Sequence, residues 1–287
     1  MPTVFSQLSK GCRKNCSQVL HFNAVCDIII LHKNTVRLTM KKRFIVVLLA
    51  VLFVLFSFSG CTQKDEVDQG SNVTLGNVLI FGDSYSTFEG YIPQGFSTWY
   101  TKFPTNTDVS DVKQTWWYQV IKKTNSSLIL NSSYSGSTIC NTGYNGVDAS
   151  SISFVGRMTA LFANEAFKKE SVNTVIVYGG LNDYWANSPR GSVKHENIIE
   201  SDLYYVYPAL SYLLSSLKSN LPNARIIFII EELIGQGMKN TFESICKYFS
   251  IEYIKPQNIS KQNSHPDALG MNQLTEQIIA YLNANTN

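Results

Sequence analysis

Apolar runs of strand length alternate with amphipathic stretches of helix length from residue 77 onward. The strand candidates are residues 78–81, 127–130, 174–178, 225–230 and 251–254. The helix candidates are residues 116–123, 152–162, 202–217, 238–249 and 266–282. This alternation predicts a single α/β domain over residues 77–287, built on a central parallel sheet of about five strands.

A second hydrophobic pattern lies near the N-terminus, where the basic sequence after Met40 precedes an unbroken apolar run over residues 44–56. The run is shorter than the roughly 20 apolar residues that a membrane helix needs, but it suits a secretory signal. The sequence FSGC at residues 58–61 resembles a bacterial lipobox, which predicts a lipoprotein signal peptide over residues 40–60 and lipidation of Cys61. An uncleaved membrane anchor is the alternative.

Two further segments flank this signal. Residues 61–76 are polar and without apolar period until near their end, which predicts a flexible tether. Residues 1–39 are interpreted as an upstream leader that is not native to the protein. The leader contains possible zinc ligands, but it lacks a close pair of cysteines, so we predict no metal site and no cofactor. These residues are Cys12, Cys16, His21, Cys26 and His32.

The charge distribution limits the choice of partner. The composition, with 44% hydrophobic and 16% charged residues, is globular. The formal net charge of +3 arises in the first 60 residues, whereas residues 61–287 carry 16 basic and 20 acidic side chains and a net charge of −4. An acidic domain gains little from neutralising phosphates, so nucleic acid is not expected as a partner. The sequence does not predict the oligomeric state.

Four short polar motifs carry the candidate chemistry, and three of them follow predicted strands. The first strand runs into GDS with Ser84, the second into NSSYSG with Gly136, and the third into GGLND with Asn182. The fourth motif, SHPD with His265, stands near the C-terminus. Carboxyl ends of parallel strands meet at one sheet edge, where functional groups gather.

In this order, the four motifs resemble the signature blocks of the SGNH hydrolase (GDSL esterase/lipase) family, here of bacterial lipoprotein type. The resemblance implies a flavodoxin-like three-layer sandwich and a carboxylic ester hydrolase. It also implies that Ser84 is the nucleophile and His265 the base. The backbone N–H groups of Ser84 and Gly136 and the side-chain amide of Asn182 would then stabilise the oxyanion.

The residues support these roles on chemical grounds. A serine hydroxyl needs a nearby base to become a nucleophile. Residues 61–287 contain only two histidines, and His195 lies in a polar stretch that is typical of a solvated loop. The family usually places an aspartate three residues before the catalytic histidine, where this chain has Gln262. Gln262, a backbone carbonyl or a carboxylate from another segment could orient His265, or the enzyme could be impaired.

A long irregular segment rich in aromatic residues follows the first strand. Long loops at a catalytic edge are usually functional or act as covers. Its aromatic side chains could bind a sugar ring or an acyl chain, or they could simply pack the loop against the domain. Tyr85 in this segment and Trp185, just after the third motif, are candidate substrate-binding residues.

We therefore predict a serine esterase that removes a small acyl group, such as acetyl, from a carbohydrate. It is expected in the bacterial cell envelope, held to the membrane by a lipid anchor and facing the periplasm or the cell surface. The alternatives are a lipase or thioesterase of the same family, and a catalytically impaired surface lipoprotein that binds glycans.

Overall fold

The computed structural model describes residues 71–104 and 106–285. The predictions for residues 1–60, for most of the tether and for Cys61 lie outside this described part. A parallel five-stranded sheet forms the centre of the domain and confirms the predicted fold class. Its strands are β1 (Asn77–Gly82), β2 (Ser127–Ser133), β3 (Thr174–Gly179), β4 (Arg225–Ile230) and β5 (Glu252–Ile254).

Helices cover both faces of the sheet. They are α1 (Trp116–Lys123), α2 (Phe154–Ala163), α3 (Leu181–Trp185), α4 (Val206–Asn220), α5 (Gln236–Tyr248) and α6 (Ala268–Ala284). Helix α1 packs against α6, whereas α4 packs against both α2 and α5. The result is a three-layer α/β sandwich. None of the helices in the described ranges is long and apolar enough to cross a membrane.

The strand order is β2-β1-β3-β4-β5, which is the flavodoxin-like order. The chain leaves β1 toward β2 on one side and later returns to place β3 on the other side. The three strands end in register, because Gly82 lies opposite Ser133 on β2 and opposite Tyr178 on β3. The loops after these strands therefore meet at a switch point, which is where open α/β sheets bind ligands.

The sequence predicts the core elements closely, and the differences have local causes. Helix α6 begins at Ala268, not at residue 266, because the Asp267 carboxylate accepts a hydrogen bond from the N–H of Gly270 and caps the helix there. The residues before the helix form a two-stranded hairpin of β6 (Lys261–Gln262) and β7 (His265–Pro266). This hairpin and the short helix α3 are not predicted, because both are too short to show a hydrophobic period.

Candidate active site

The turn after β1 holds Ser84 at the carboxyl edge of the sheet. Asp83 caps a short 3-10 turn over Ser84–Ser86, and its carboxylate accepts a hydrogen bond from the N–H of Tyr85 at 3.0 Å. Gly82, the last residue of β1 before this turn, lies so close to β2 that a Cβ on it would be 2.5 Å from Ser133 Oγ. Glycine at position 82 therefore allows the strand to bring Ser84 to the end of the neighbouring strand.

His265 lies directly beside Ser84. Ser84 Oγ donates a hydrogen bond to His265 Nε2 at 2.9 Å, across 181 residues of sequence. The hairpin of β6 and β7 places the imidazole there, and its two turn residues, Asn263 and Ser264, both have positive φ. Two such residues define a type I′ turn, whose twist matches that of the flanking strands.

The carbonyl oxygen of Asn263 orients the imidazole. It accepts a hydrogen bond from His265 Nδ1 at 2.9 Å, which leaves Nε2 free to take a proton. Gln262 is exposed, so of the candidates that the sequence offers for this role the structure shows a backbone carbonyl. The Asp267 carboxylate is used by Gly270 N–H and Ser260 Oγ.

Burial and this hydrogen bond act in opposite directions on the base. Burial lowers the pKa of His265, and the hydrogen bond to Asn263 raises it, with burial the larger effect. His265 is therefore neutral near neutral pH, which is the form that a general base requires.

Because Gln262 is exposed and the Asn263 carbonyl supplies the hydrogen bond to Nδ1, we expect Gln262→Ala to change kcat for a small ester by less than about twofold, as surface substitutions rarely matter. Steady-state kinetics with p-nitrophenyl acetate would measure this. Gln262→Asp serves as the matched comparison, since it would add a carboxylate at the position where the resembling family keeps its acid. A large loss of kcat in Gln262→Ala would contradict the assignment of the Asn263 carbonyl.

Three potential donors follow the neighbouring strands β1, β2 and β3, whose ends lie side by side. The first two are the backbone N–H groups of Ser84 and Gly136, and neither donates to a partner within residues 71–104 and 106–285. Gly136 has φ of +84°, a conformation that favours glycine. The third is the side-chain amide of Asn182, whose Nδ2 is buried with no partner in the same ranges. An unpaired buried donor such as Asn182 Nδ2 is rare, and it suits a site that binds an oxyanion.

Tyr144 sets the orientation of the Asn182 amide. Its hydroxyl donates a hydrogen bond to Asn182 Oδ1 at 2.8 Å, so that Nδ2 points away from this contact. The tyrosine itself is 41% exposed. Sequence reasoning missed this residue, because an isolated tyrosine in a loop carries no signal of its partner.

Two buried charges hold the loop that carries Gly136. Asp183, next to Asn182, accepts hydrogen bonds from the N–H groups of Ile139 at 2.7 Å and Cys140 at 3.1 Å. Arg157 on α2 donates to the Gly82 carbonyl at 3.1 Å and to Ser137 Oγ at 3.0 Å. The sequence contained a signal for Arg157, which is a single charge within an otherwise apolar stretch of helix.

The aromatic candidates are placed differently from one another. Tyr85 is buried, with its ring centroid 5.1 Å from that of His265, and its hydroxyl donates to the Ser264 carbonyl, so it supports the site from within. The ring of Trp185 is 39% exposed and lies 6.3 Å from the His265 ring. His195, in contrast, stacks on Tyr248. Trp185 is therefore available to a substrate, whereas Tyr85 is not.

The ionisation of Asp83 makes the stability of the folded domain depend on pH. Its burial raises the pKa of the carboxyl group from 3.8 to about 7, with the nearby carboxylates of Glu231 and Asp183 adding to the effect. The folded protein thus holds this proton to a higher pH than the unfolded chain does. Protonated Asp83 therefore contributes to the free energy of unfolding. This contribution is fully present below the unfolded pKa and is lost as pH rises through about 7.

We therefore expect Asp83→Asn, which keeps an acceptor for Tyr85 N–H, to gain thermal stability relative to wild type as pH rises from about 5 to 8. The measurement is Tm against pH for both proteins. Glu165→Gln, at an exposed carboxylate, is the control and should show a constant offset. Parallel Tm curves for Asp83→Asn and wild type would contradict a raised pKa at Asp83.

The fold and this arrangement define a class of protein. A serine hydrogen-bonded to a histidine, with unpaired N–H donors on the adjoining loops, is suited to acyl transfer through a tetrahedral intermediate. The class is that of hydrolases built on a flavodoxin-like sandwich.

Comparisons with known proteins give the family. The model of the GDSL-like Lipase/Acylhydrolase family matches residues 76–282. A protein described as a GDSL-like lipase from Bacteroides ovatus is 39% identical, with a TM-score of 0.69, and the match covers 74% of this chain and 100% of that one. A second such protein, from Bacteroides uniformis, is 36% identical with a TM-score of 0.67, over 73% of this chain and 96% of that one.

A more distant structure shares the fold only. It is a family two carbohydrate esterase from Clostridium thermocellum in complex with cellohexaose, 15% identical with a TM-score of 0.50, over 74% of this chain and 65% of that one. The comparison with curated proteins gives no match. The chain belongs to the GDSL-like lipase/acylhydrolase family and is a carboxylic ester hydrolase.

Proposed function

We propose that this hydrolase cleaves esters through a Ser84–His265 dyad. His265 Nε2 takes the proton of Ser84 as Oγ attacks the ester carbonyl carbon. The resulting oxyanion accepts hydrogen bonds from the N–H groups of Ser84 and Gly136 and from Asn182 Nδ2. The imidazolium then gives its proton to the departing alcohol oxygen, and an acyl group stays on Ser84.

The second half of the cycle repeats this proton transfer with water. The oxygen of a water molecule attacks the acyl carbon while His265 takes a proton from that water. His265 then returns the proton to Ser84 Oγ as the carboxylic acid leaves. The 2.9 Å contact between Ser84 Oγ and His265 Nε2 is the observation that carries this proposal. Since the Asn263 carbonyl supplies an uncharged acceptor for Nδ1, the mechanism does not use a carboxylate as a third residue.

The proposed substrate is a carbohydrate ester with a small acyl group such as acetyl. Two half-exposed aromatic rings flank the reacting groups, Trp185 beside His265 and Tyr144 beside Asn182. Tyrosine and tryptophan offer an apolar face together with a polar edge, which suits a sugar ring better than an acyl chain. The carbohydrate esterase that shares the fold is in complex with cellohexaose, which supports this choice of substrate class.

The test compares two substrates in one pair of variants. Trp185→Ala should raise KM several-fold for an acetylated xylo-oligosaccharide and leave turnover of p-nitrophenyl acetate nearly unchanged, because only the oligosaccharide reaches the ring. Trp185→Phe should restore most of the loss. If the wild-type enzyme releases no acetate from acetylated oligosaccharides while it turns over p-nitrophenyl acetate, the substrate class is wrong.

A lipase activity is the second candidate, and the two Bacteroides relatives described as GDSL-like lipases favour it. A series of p-nitrophenyl esters from acetate to palmitate distinguishes the two. A preference for short chains supports the carbohydrate esterase, whereas kcat/KM that increases up to long chains supports the lipase.

We further propose that the protein is anchored to the bacterial envelope by lipid on Cys61. The support is the sequence alone, namely the apolar run over residues 44–56 and the FSGC sequence. Cys61→Ala should move the protein from the membrane fraction to the soluble fraction and abolish labelling by a radioactive fatty acid. Unlabelled wild-type protein would contradict the anchor.

A further inference from the structure

The ring of Trp99 is stacked on the base. The centroids of the indole and the His265 imidazole are 3.6 Å apart, and the ring planes differ by 8°. The other aromatic neighbours of His265, Tyr85, Tyr100 and Trp185, are tilted or edge-on at 5.1 to 6.4 Å. Trp99 is therefore the side chain that covers a face of the imidazole.

Within residues 71–104 and 106–285, no carboxylate is hydrogen-bonded to the His265 ring. Its Nδ1 donates to a neutral carbonyl, and the nearby carboxylate of Asp267 caps α6. Asp83 is bonded to the N–H of Tyr85, and Asp183 is bonded to the N–H groups after Gly136. The imidazolium that forms during the reaction consequently needs another source of stabilisation.

An indole face supplies such a source. The face of an aromatic ring carries the negative part of its quadrupole, so it attracts a cation placed over it, and tryptophan does so most strongly. The attraction acts on imidazolium and hardly at all on neutral imidazole. It therefore favours the charged form that appears in the transition state.

The segment that carries Trp99 is held by hydrogen bonds to each part of the site. The backbone N–H of Trp99 donates to Thr87 Oγ1 at 2.9 Å, and that hydroxyl donates to the carbonyl of Ser84 at 3.0 Å. The carbonyl of Ser97 accepts from Ser135 N–H beside Gly136, and the hydroxyl of Tyr100 donates to the Pro266 carbonyl beside His265. The aromatic segment between β1 and α1 thus joins the turn of Ser84, the loop of Gly136 and the hairpin of His265.

We propose that Trp99 is a positioning residue that stabilises the His265 imidazolium through its ring face and so takes over the electrostatic role of the absent acid. This inference rests on the proposed Ser84–His265 mechanism. It gives a chemical role to the aromatic segment, for which the sequence allowed either substrate binding or packing against the domain.

The test changes the charge distribution of the ring without changing its shape. Fluorination withdraws electron density from the indole face, so tetrafluorotryptophan at position 99 should lower the pKa of His265 by about half a unit. It should lower kcat for p-nitrophenyl acetate about threefold, and a monofluorinated ring should give intermediate values. Nuclear magnetic resonance of labelled histidine measures the pKa, with the His265 signal assigned by its loss in His265→Gln.

The control is tetrafluorotryptophan at position 117, a buried site whose ring contacts Tyr91 and Tyr118. That substitution should leave the pKa of His265 unchanged. A second pair of variants uses natural residues, and Trp99→Phe should retain more of the kcat than Trp99→Leu because phenylalanine keeps a ring face.

The outcomes distinguish failure of this inference from failure of the proposed Ser84–His265 mechanism. If the pKa of His265 is unchanged or rises along the fluorinated series, Trp99 acts only as a shield against water and the inference fails. The same holds if kcat falls without a change in pKa. Failure of the mechanism itself appears elsewhere, as esterase turnover that survives Ser84→Ala.

Discussion

Replacement of Ser84 by alanine is expected to lower kcat for p-nitrophenyl acetate by at least about a thousandfold, because the hydroxyl forms the bond to the acyl group. The Tm should stay within a few degrees of wild type, since among the described residues the hydroxyl makes a single hydrogen bond, to His265. Steady-state kinetics and thermal unfolding measure the two quantities on the same sample.

Ser86 provides the matched control. It lies in the same turn, is buried, and its Oγ has no partner within the described ranges. Ser86→Ala therefore removes the same atom two residues away and should retain esterase activity. Equal losses in both variants would show that the turn had collapsed, and near-normal turnover in Ser84→Ala would remove Ser84 from the mechanism.

The second large effect is expected at Asn182. Its unpaired Nδ2 is positioned to donate to an oxyanion, and loss of one such donor typically costs about 2.7 to 4 kcal/mol of activation free energy. We therefore expect Asn182→Ala to lower kcat by roughly a hundredfold to a thousandfold, with little change in KM. The split between kcat and KM distinguishes a donor that acts in the transition state from one that binds substrate.

Two further variants sharpen this prediction. Asn182→Asp keeps the acceptor for Tyr144 but removes the donor and adds a negative charge, so it should lose at least as much activity as Asn182→Ala. Tyr144→Phe should lose only about two- to tenfold, because it removes the orienting hydrogen bond and leaves the donor. Near-normal kcat in Asn182→Ala would mean that the two backbone N–H groups suffice.

The sequence predicts the scaffold well because hydrophobic period and strand-end position are local signals. The strands of an α/β sheet appear as apolar runs, and β4 (Arg225–Ile230) begins and ends where the pattern places it. Ser84, Gly136 and Asn182 follow three such runs directly. Parallel pairing brings the ends of those strands together, so a linear pattern predicts a cluster in space.

The contacts that complete the site could not be predicted in this way. The Asn263 carbonyl is a backbone group, and its direction depends on a two-residue turn with positive φ at Asn263 and Ser264. The stacking of Trp99 on His265 joins residues 166 positions apart and arises from a loop without any hydrophobic period. The spacing of residue types in the sequence points to Gln262, whereas the structure uses a main-chain oxygen one residue later.

The most direct test of the central claim is covalent labelling with a fluorophosphonate, which reacts with a serine that a neighbouring base activates. Intact mass spectrometry of the full chain should show one phosphonyl adduct, and peptide mapping should place it on Ser84. His265→Ala should label far more slowly, because the base is missing, and Ser84→Ala should not label at all. An adduct on another residue, or esterase turnover in a protein that takes up no label, would contradict the Ser84–His265 assignment.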